Sequence, residues 1–93
     1  MSSDEMQRAF EKAQAVKRAH EQELMGRANV VGVGVGLRRK GGRPQDRVAV
    51  IVMVARKVPV AQLAPKDVIP TEIEGVPVDV QEVGQFQAHQ SKP

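Results

Sequence analysis

Two histidines, His20 and His89, and the hydroxyl groups of Ser2, Ser3, Thr71 and Ser91 are the side chains that could supply a base and a nucleophile. Hydrolytic chemistry needs a nucleophile, a base and an orienting group that converge. Ser2, Ser3, Ser91 and His89 fall in the two termini. His20 lies in a helical pattern with no hydroxyl residue near it in sequence. The chain has no cysteine, and its histidines are far apart with no carboxylate at ligand spacing, so neither a thiolate nor an imidazole metal centre is predicted. Asp67, Glu72, Glu74, Asp79 and Glu82 are spread singly over loop and strand. The residues therefore predict a non-enzymatic chain without catalytic, metal or cofactor-binding groups.

Two other patterns invite a binding role. Gly32, Gly34 and Gly36 are spaced G-x-G-x-G. A phosphate cradle needs its glycines in the turn between a strand and a helix, so that backbone amides and the helix dipole meet the anion. Here they lie inside a strand pattern, and Arg38-Arg39-Lys40-Gly41-Gly42 follows instead of a helix. Close packing against a bare backbone face is the better reading. The second pattern is basic: Arg38, Arg39, Lys40, Arg43 and Arg47 would gather at the tip of a hairpin and could touch an anion. No aromatic residues are interleaved with them for base stacking, so nucleic acid is not the expected partner. A solvated loop is the favoured reading.

These residues must be positioned by a small number of elements. Met6, Ala9, Phe10, Ala13, Val16, His20 and Leu24 recur at helical spacing and predict an amphipathic helix over about residues 4–25. Ser3 or Asp4 would cap it, and Gly26 is placed for a left-handed C-terminal cap. Strands are expected over about 30–38, 47–57 and 76–83. Val31, Val33, Val35 and Leu37 should share one face of the first strand, opposite the glycines. The second strand has Val48, Val50, Val52 and Val54 on one face and Ala49, Ile51, Met53 and Ala55 on the other, which suits a central strand. Residues 39–46 read as a polar connection and 60–63 as one helical turn. Residues 68–73 should be extended, and Glu74-Gly75 should form a turn. Pro77 argues for an edge position of the last strand, and residues 85–93 form a polar tail. The expected fold is a single α+β domain over residues 1–93, with an N-terminal amphipathic helix packed on a small three- to four-stranded sheet.

Length and composition add bounds. A chain of 93 residues with two phenylalanines and no other aromatic residue must build its core from Val, Ile, Leu, Met and Ala. At roughly 0.05–0.15 kcal/mol per residue its stability should be about 5–14 kcal/mol. No stretch approaches the roughly 18–20 apolar residues of a membrane span. The start, Met1 to Met6, is acidic rather than basic, and a cytoplasmic protein without a signal peptide is expected. The net charge of +3 is too mild to mark a nucleic-acid binder.

The ordered series Asn29-Val30-Val31-Gly32-Val33-Gly34-Val35-Gly36, Val54-Ala55-Arg56-Lys57-Val58-Pro59, Ile69-Pro70 and Glu74-Gly75-Val76-Pro77-Val78-Asp79-Val80-Gln81-Glu82-Val83-Gly84 resembles a small bacterial module. It is similar to the region that precedes the protease domain in bacterial trypsin-like serine peptidases, and to the corresponding region of plant Narrow Leaf 1 type proteins. The resemblance covers about residues 15–84. It implies that catalysis belongs to a downstream domain and that no catalytic residue carries over. A free-standing copy is then expected to act through contacts. The leading expectation is self-association into a homo-oligomer, with Gly32, Gly34, Gly36, Ile51 and Met53 as packing or interface residues. The alternatives are a regulatory partner of a peptidase-like protein in trans, or weak anion binding by the basic loop.

Overall fold

A computed structural model of the chain describes residues 3–40 and 43–84. His89, Ser2, Ser91 and the predicted polar tail lie outside the described residues. The apolar stripe forms helix α1, Ser3–Met25, and buries Ala13, Val16 and Leu24 against the sheet. Met6, Ala9 and Phe10 are partly buried on the same face. Because the helix starts at Ser3, both expected cap residues, Ser3 and Asp4, already lie inside it, and the charges of Asp4 and Glu5 in the first turn favour the helix dipole.

Gly26 does not form the expected left-handed cap. Its N–H is shared between the carbonyls of Gln22 (3.2 Å) and Glu23 (3.1 Å), and two further turn-like bonds, Arg27 to Leu24 and Val30 to Arg27, carry the chain on. The left-handed residue is Asn29, at φ 75°. Asparagine tolerates this region better than other residues with a side chain.

Four strands follow: β1 Val30–Lys40, β2 Arg43–Val54, β3 Glu72–Ile73 and β4 Val76–Glu82. They form one sheet in the order β1-β2-β4-β3. β1 and β2 are antiparallel and run through Lys40 and Arg43, so the connection is two residues rather than the expected 39–46. β2 and β4 are parallel, joined by a crossover that contains two short 3₁₀ turns, Val60–Gln62 and Pro65–Asp67. β3 and β4 are antiparallel, closed by Glu74-Gly75 with both φ values positive (51° and 82°), as a two-residue type I′ turn requires.

The β2 valines Val48, Val50, Val52 and Val54, with Val76 and Val78 of β4, are buried under α1. Val50 and Val52 are fully buried, and each such side chain contributes about 1.5–3 kcal/mol of hydrophobic stabilisation. Val33, Val35 and Leu37 join this core from β1. Val31 does not, and is 41% exposed. The register shifts between Val30 and Gly32, so an extra residue stands opposite β2 and Val30 takes the core position instead.

Pro77 is buried, and β4 lies between β2 and β3, not at the sheet edge as its proline suggested. The Val78 N–H donates to the Thr71 carbonyl on the β3 side (2.9 Å). Alternation then turns the nitrogen of Pro77 toward β2, one residue before the first β2–β4 pair, Val50 with Val78. No ladder donor is lost there.

Candidate functional site

The helix covers the valine face of the sheet, so the glycine face of β1 is not beneath it. Gly32, Gly34 and Gly36 pair with Met53, Ile51 and Ala49 of β2 on the helix-free face. A Cβ built on Gly32 would lie 2.9 Å from the Met53 Cε, one on Gly34 3.9 Å from the same atom, and one on Gly36 3.6 Å from Ile51 Cγ1. The bare backbone is thus overlaid by side chains of the neighbouring strand. Ala49 is fully buried and Ile51 is 8% exposed within a single chain. Further along this face, Asp79 accepts hydrogen bonds from the Arg39 backbone N–H (2.9 Å) and from Gln81 Nε2 (3.0 Å). The carboxylate links β4 to β1 across the central strand.

Among the described residues β1 is an edge strand, and the polarity of its outer edge follows from one bond. Val83 N–H donates to the Val54 carbonyl (2.9 Å), so the backbone of Val54 faces β4. By alternation Val50 and Val52 face β4 as well, while Ala49, Ile51 and Met53 face β1. Their partners Gly36, Gly34 and Gly32 therefore spend their N–H and C=O groups on β2. Val33, Val35 and Leu37 aim theirs outward, away from the sheet. Residues 30–37 include no charge and no proline, the usual devices that blunt an edge.

The basic residues gather at the other end of this strand pair. Lys40 pairs with Arg43, and Arg39 with Pro44. Arg39, Arg43 and Arg47 are exposed and Arg38 is half-buried. The sequence-predicted basic cluster is thus brought to one end of the hairpin, while Gly32, Gly34, Gly36, Ile51 and Met53 lie together on its outer face.

A third feature was not foreseen. Where α1 passes into β1, Arg27 donates from Nη1 to the Lys66 carbonyl, and its Nη2 lies 3.5 Å from Glu23 Oε2. Ala28 N–H donates to Asp67 Oδ1 (2.9 Å), and Asn29 Nδ2 donates to the Arg56 carbonyl. These bonds fasten the crossover to the helix–strand junction. Beside them is a cleft of about 200 Å³ lined by Val54, Val58, Leu63, Val68, Ile69 and Val80. The one available signal was Asn29 itself, a residue suited to positive φ just ahead of a strand.

His20 is half-buried on α1 and bonds Glu74 of the β3–β4 turn through Nε2 (2.8 Å). Its Nδ1 is 3.5 Å from Glu23 Oε1. The bond to Glu74, with a smaller contribution from Glu23, holds the imidazole pKa above its ordinary 6.5 against the opposing effect of desolvation. Thr71, the one hydroxyl outside the termini, is exposed on the far side of β3 in sequence and has no place in this contact. Among the described residues, no three His, Cys, Asp or Glu side chains come together as a metal site would need.

Residues 14–82 match the NARROW LEAF 1 N-terminal domain. The chain belongs to this family. The matched span runs from the middle of α1 through the end of β4, so the NARROW LEAF 1 N-terminal domain comprises the whole sheet, the crossover and the Asn29 junction. It also takes in both glycine-floored β1 and the basic hairpin end. No curated protein matches the chain. Among the described residues, no helix is long and apolar enough to cross a membrane.

Proposed function

We propose that this chain is a non-enzymatic interaction module that self-associates through its sheet. The observation that carries this reading is the open edge of β1. It is 11 residues long, uncharged over residues 30–37, and has three alternate backbone positions, Val33, Val35 and Leu37, that face outward with no partner strand among the described residues. Such an edge is a template for a further strand. Homo-oligomerisation also suits a small aliphatic core of marginal stability. The absence of cysteine fits a reducing, cytoplasmic setting. Light scattering coupled to size exclusion tests the reading: a dimer or larger species is expected, and a monomer at high micromolar concentration would overturn it.

A second reading is a regulatory partner of a trypsin-like peptidase in trans. Its support is the family match, together with the resemblance of the same motifs to the segment ahead of such peptidase domains. Co-purification of a peptidase from the native host is the expected result; recovery of this chain alone would speak against it. The grouping of Arg38, Arg39, Arg43 and Arg47 at one hairpin end supports weak anion binding as a lesser role. Serine substitutions at Arg38, Arg39, Lys40 and Arg43 should then abolish salt-sensitive retention on heparin.

A further inference from the structure

We infer that two copies pair through β1, antiparallel, about a two-fold axis at Val35, which joins their sheets into one. This inference rests on the self-association reading and specifies its geometry. The outward backbone groups are the N–H and C=O of Val33, Val35 and Leu37, as the partition of β1 against β2 dictates. An antiparallel partner satisfies such groups in directly opposed pairs, each exchanging two hydrogen bonds. Centring the axis on Val35 opposes Val33 to Leu37, Val35 to Val35 and Leu37 to Val33 of the second copy. All three donors and all three acceptors of each copy are then used.

Neighbouring registers do worse. Sliding the partner by two residues brings a position at a register shift into the pairing, because irregularities fall between Val30 and Gly32 and between Leu37 and Arg39. The regular stretch is bracketed by these two shifts, and the axis at Val35 keeps the bonded residues within it. A slip of one residue sets outward groups against inward ones and forms no ladder.

Charge selects the orientation. A parallel pair would set Arg38, Arg39 and Lys40 of both copies about 5 Å apart, the spacing of adjacent strands. In the antiparallel pair Arg38 stands opposite Gly32, and the two Arg38 residues are about 20 Å apart at roughly 3.3 Å per residue. That is about two and a half times the screening length of about 8 Å at physiological salt. Like charges are thus kept from meeting.

The glycines acquire a reason for their spacing. In this register Gly34 of one copy opposes Gly36 of the other in the non-hydrogen-bonded, closely spaced type of pair, with Cα atoms about 4.5 Å apart. The glycine floors merge on one face, and the core faces of the two sheets, with both helices, merge on the other.

The chain's lack of cysteine permits a direct test of register. A Cβ at Gly34 or Gly36 would meet its nearest neighbour at 3.9 or 3.6 Å, ordinary contact distances, so Gly34→Cys and Gly36→Cys should both fold. Mixed in equal amounts under mild oxidation, the two variants should form a disulfide-linked dimer. Either alone should not, because identical positions lie beyond the roughly 7 Å Cα separation that a disulfide can bridge. In the unmodified protein, the amide hydrogens of Val33, Val35 and Leu37 should exchange slowly at high concentration and quickly on dilution. Those of Gly32, Gly34 and Gly36 should be protected at both. Fast exchange at Val33, Val35 and Leu37 in a preparation that light scattering shows to be dimeric would overturn the edge pairing and leave self-association standing. Cross-linking of Gly34→Cys alone as readily as the mixture would overturn the register. A monomer at all concentrations would overturn both readings.

Discussion

His20 and Glu74 meet across 2.8 Å, from the imidazole Nε2 to the carboxylate Oε2, and so tie the helix to the β3–β4 turn. Glu74 holds the left-handed φ of 51° that the turn demands, so its side chain is presented from a fixed backbone. Lys12 also reaches this turn, its Nζ lying 3.4 Å from where a Gly75 Cβ would be. The Glu74 bond is the largest cause of the raised His20 pKa. A group whose pKa is higher folded than unfolded stabilises fully below the unfolded value, about 6.5, and that contribution disappears as pH rises through the folded value. Stability should therefore fall on going from pH 6 to pH 9, by a small amount because the pair is solvent-screened. In Glu74→Gln the His20 midpoint, followed by NMR, should drop toward 6.5 and the fall in stability should shrink. An unchanged midpoint would assign the shift to Glu23 instead.

The glycine series should separate conformational entropy from packing. None of Gly32, Gly34 and Gly36 has positive φ, so alanine is conformationally acceptable at each. Gly34→Ala and Gly36→Ala should each be neutral to about 1 kcal/mol stabilising in dilute protein, from the reduced freedom of the unfolded chain. Gly32→Ala should gain less, since its Cβ would come within 2.9 Å of Met53 Cε and displace that methyl. Adding Met53→Ala should restore the gain at position 32 while leaving Gly34→Ala unaffected. Urea titrations of these single and double variants, with Met53→Ala alone as the reference, provide the comparison.

Much of this fold was legible because it is written in periodicity. The stripe from Met6 to Leu24 marks a helix, and the alternation from Val48 to Val54 marks a central strand; both are present. The rest depends on interactions that have no period. The bulge that turns Val31 outward adds one residue to a pattern of two, and nothing in the local sequence announces it. β3 is only the last two residues of the segment 68–73 expected to be extended, and its pairing outside β4 has no period to announce it, so Pro77 looked like an edge residue. The parallel return of β4 is decided by the crossover, which is anchored through Asp67 and Arg56 to the Ala28–Asn29 junction. Glycine marked the wrong end of that junction: Gly26 keeps a helical bonding pattern and Asn29 makes the reversal. The glycine-floored strand and the basic hairpin end could be located from sequence, but which backbone groups of β1 face outward required the β2–β4 pairing.

Leu24 should dominate the attachment of the helix. It is 1% exposed and belongs to the central cluster, as the penultimate residue of α1. Leu24→Ala should cost about 2–5 kcal/mol by loss of transfer energy and creation of a cavity. Against a total of about 5–14 kcal/mol this is enough to populate the unfolded state measurably. Its neighbour Met25 is 42% exposed, and Met25→Ala should stay within about 0.5 kcal/mol of the parent. Equal losses for the two variants in chemical denaturation would contradict this placement of the helix.

Asn29 combines two separable contributions, and two substitutions can divide them. Its backbone is left-handed at φ 75°, and its Nδ2 donates to the Arg56 carbonyl. Asn29→Gly removes the hydrogen bond but accepts the backbone conformation without strain, so it should cost about 0.5–1.5 kcal/mol. Asn29→Ala removes the same bond and also forces a Cβ into the left-handed region, which adds about 1–2 kcal/mol. The expected order of stability is therefore Asn, then Gly, then Ala. The same junction places the Asn29 carbonyl to accept the Ala55 N–H at 2.9 Å and the adjacent Ala28 N–H to meet Asp67. Loss of Asn29 should accordingly loosen the crossover before it loosens the helix. Amide exchange at Val68, beside Asp67 at the end of the second 3₁₀ turn, should accelerate in Asn29→Ala more than exchange at Val16 in the middle of α1. Uniform acceleration at the two positions would instead show that the junction unfolds only together with the whole domain.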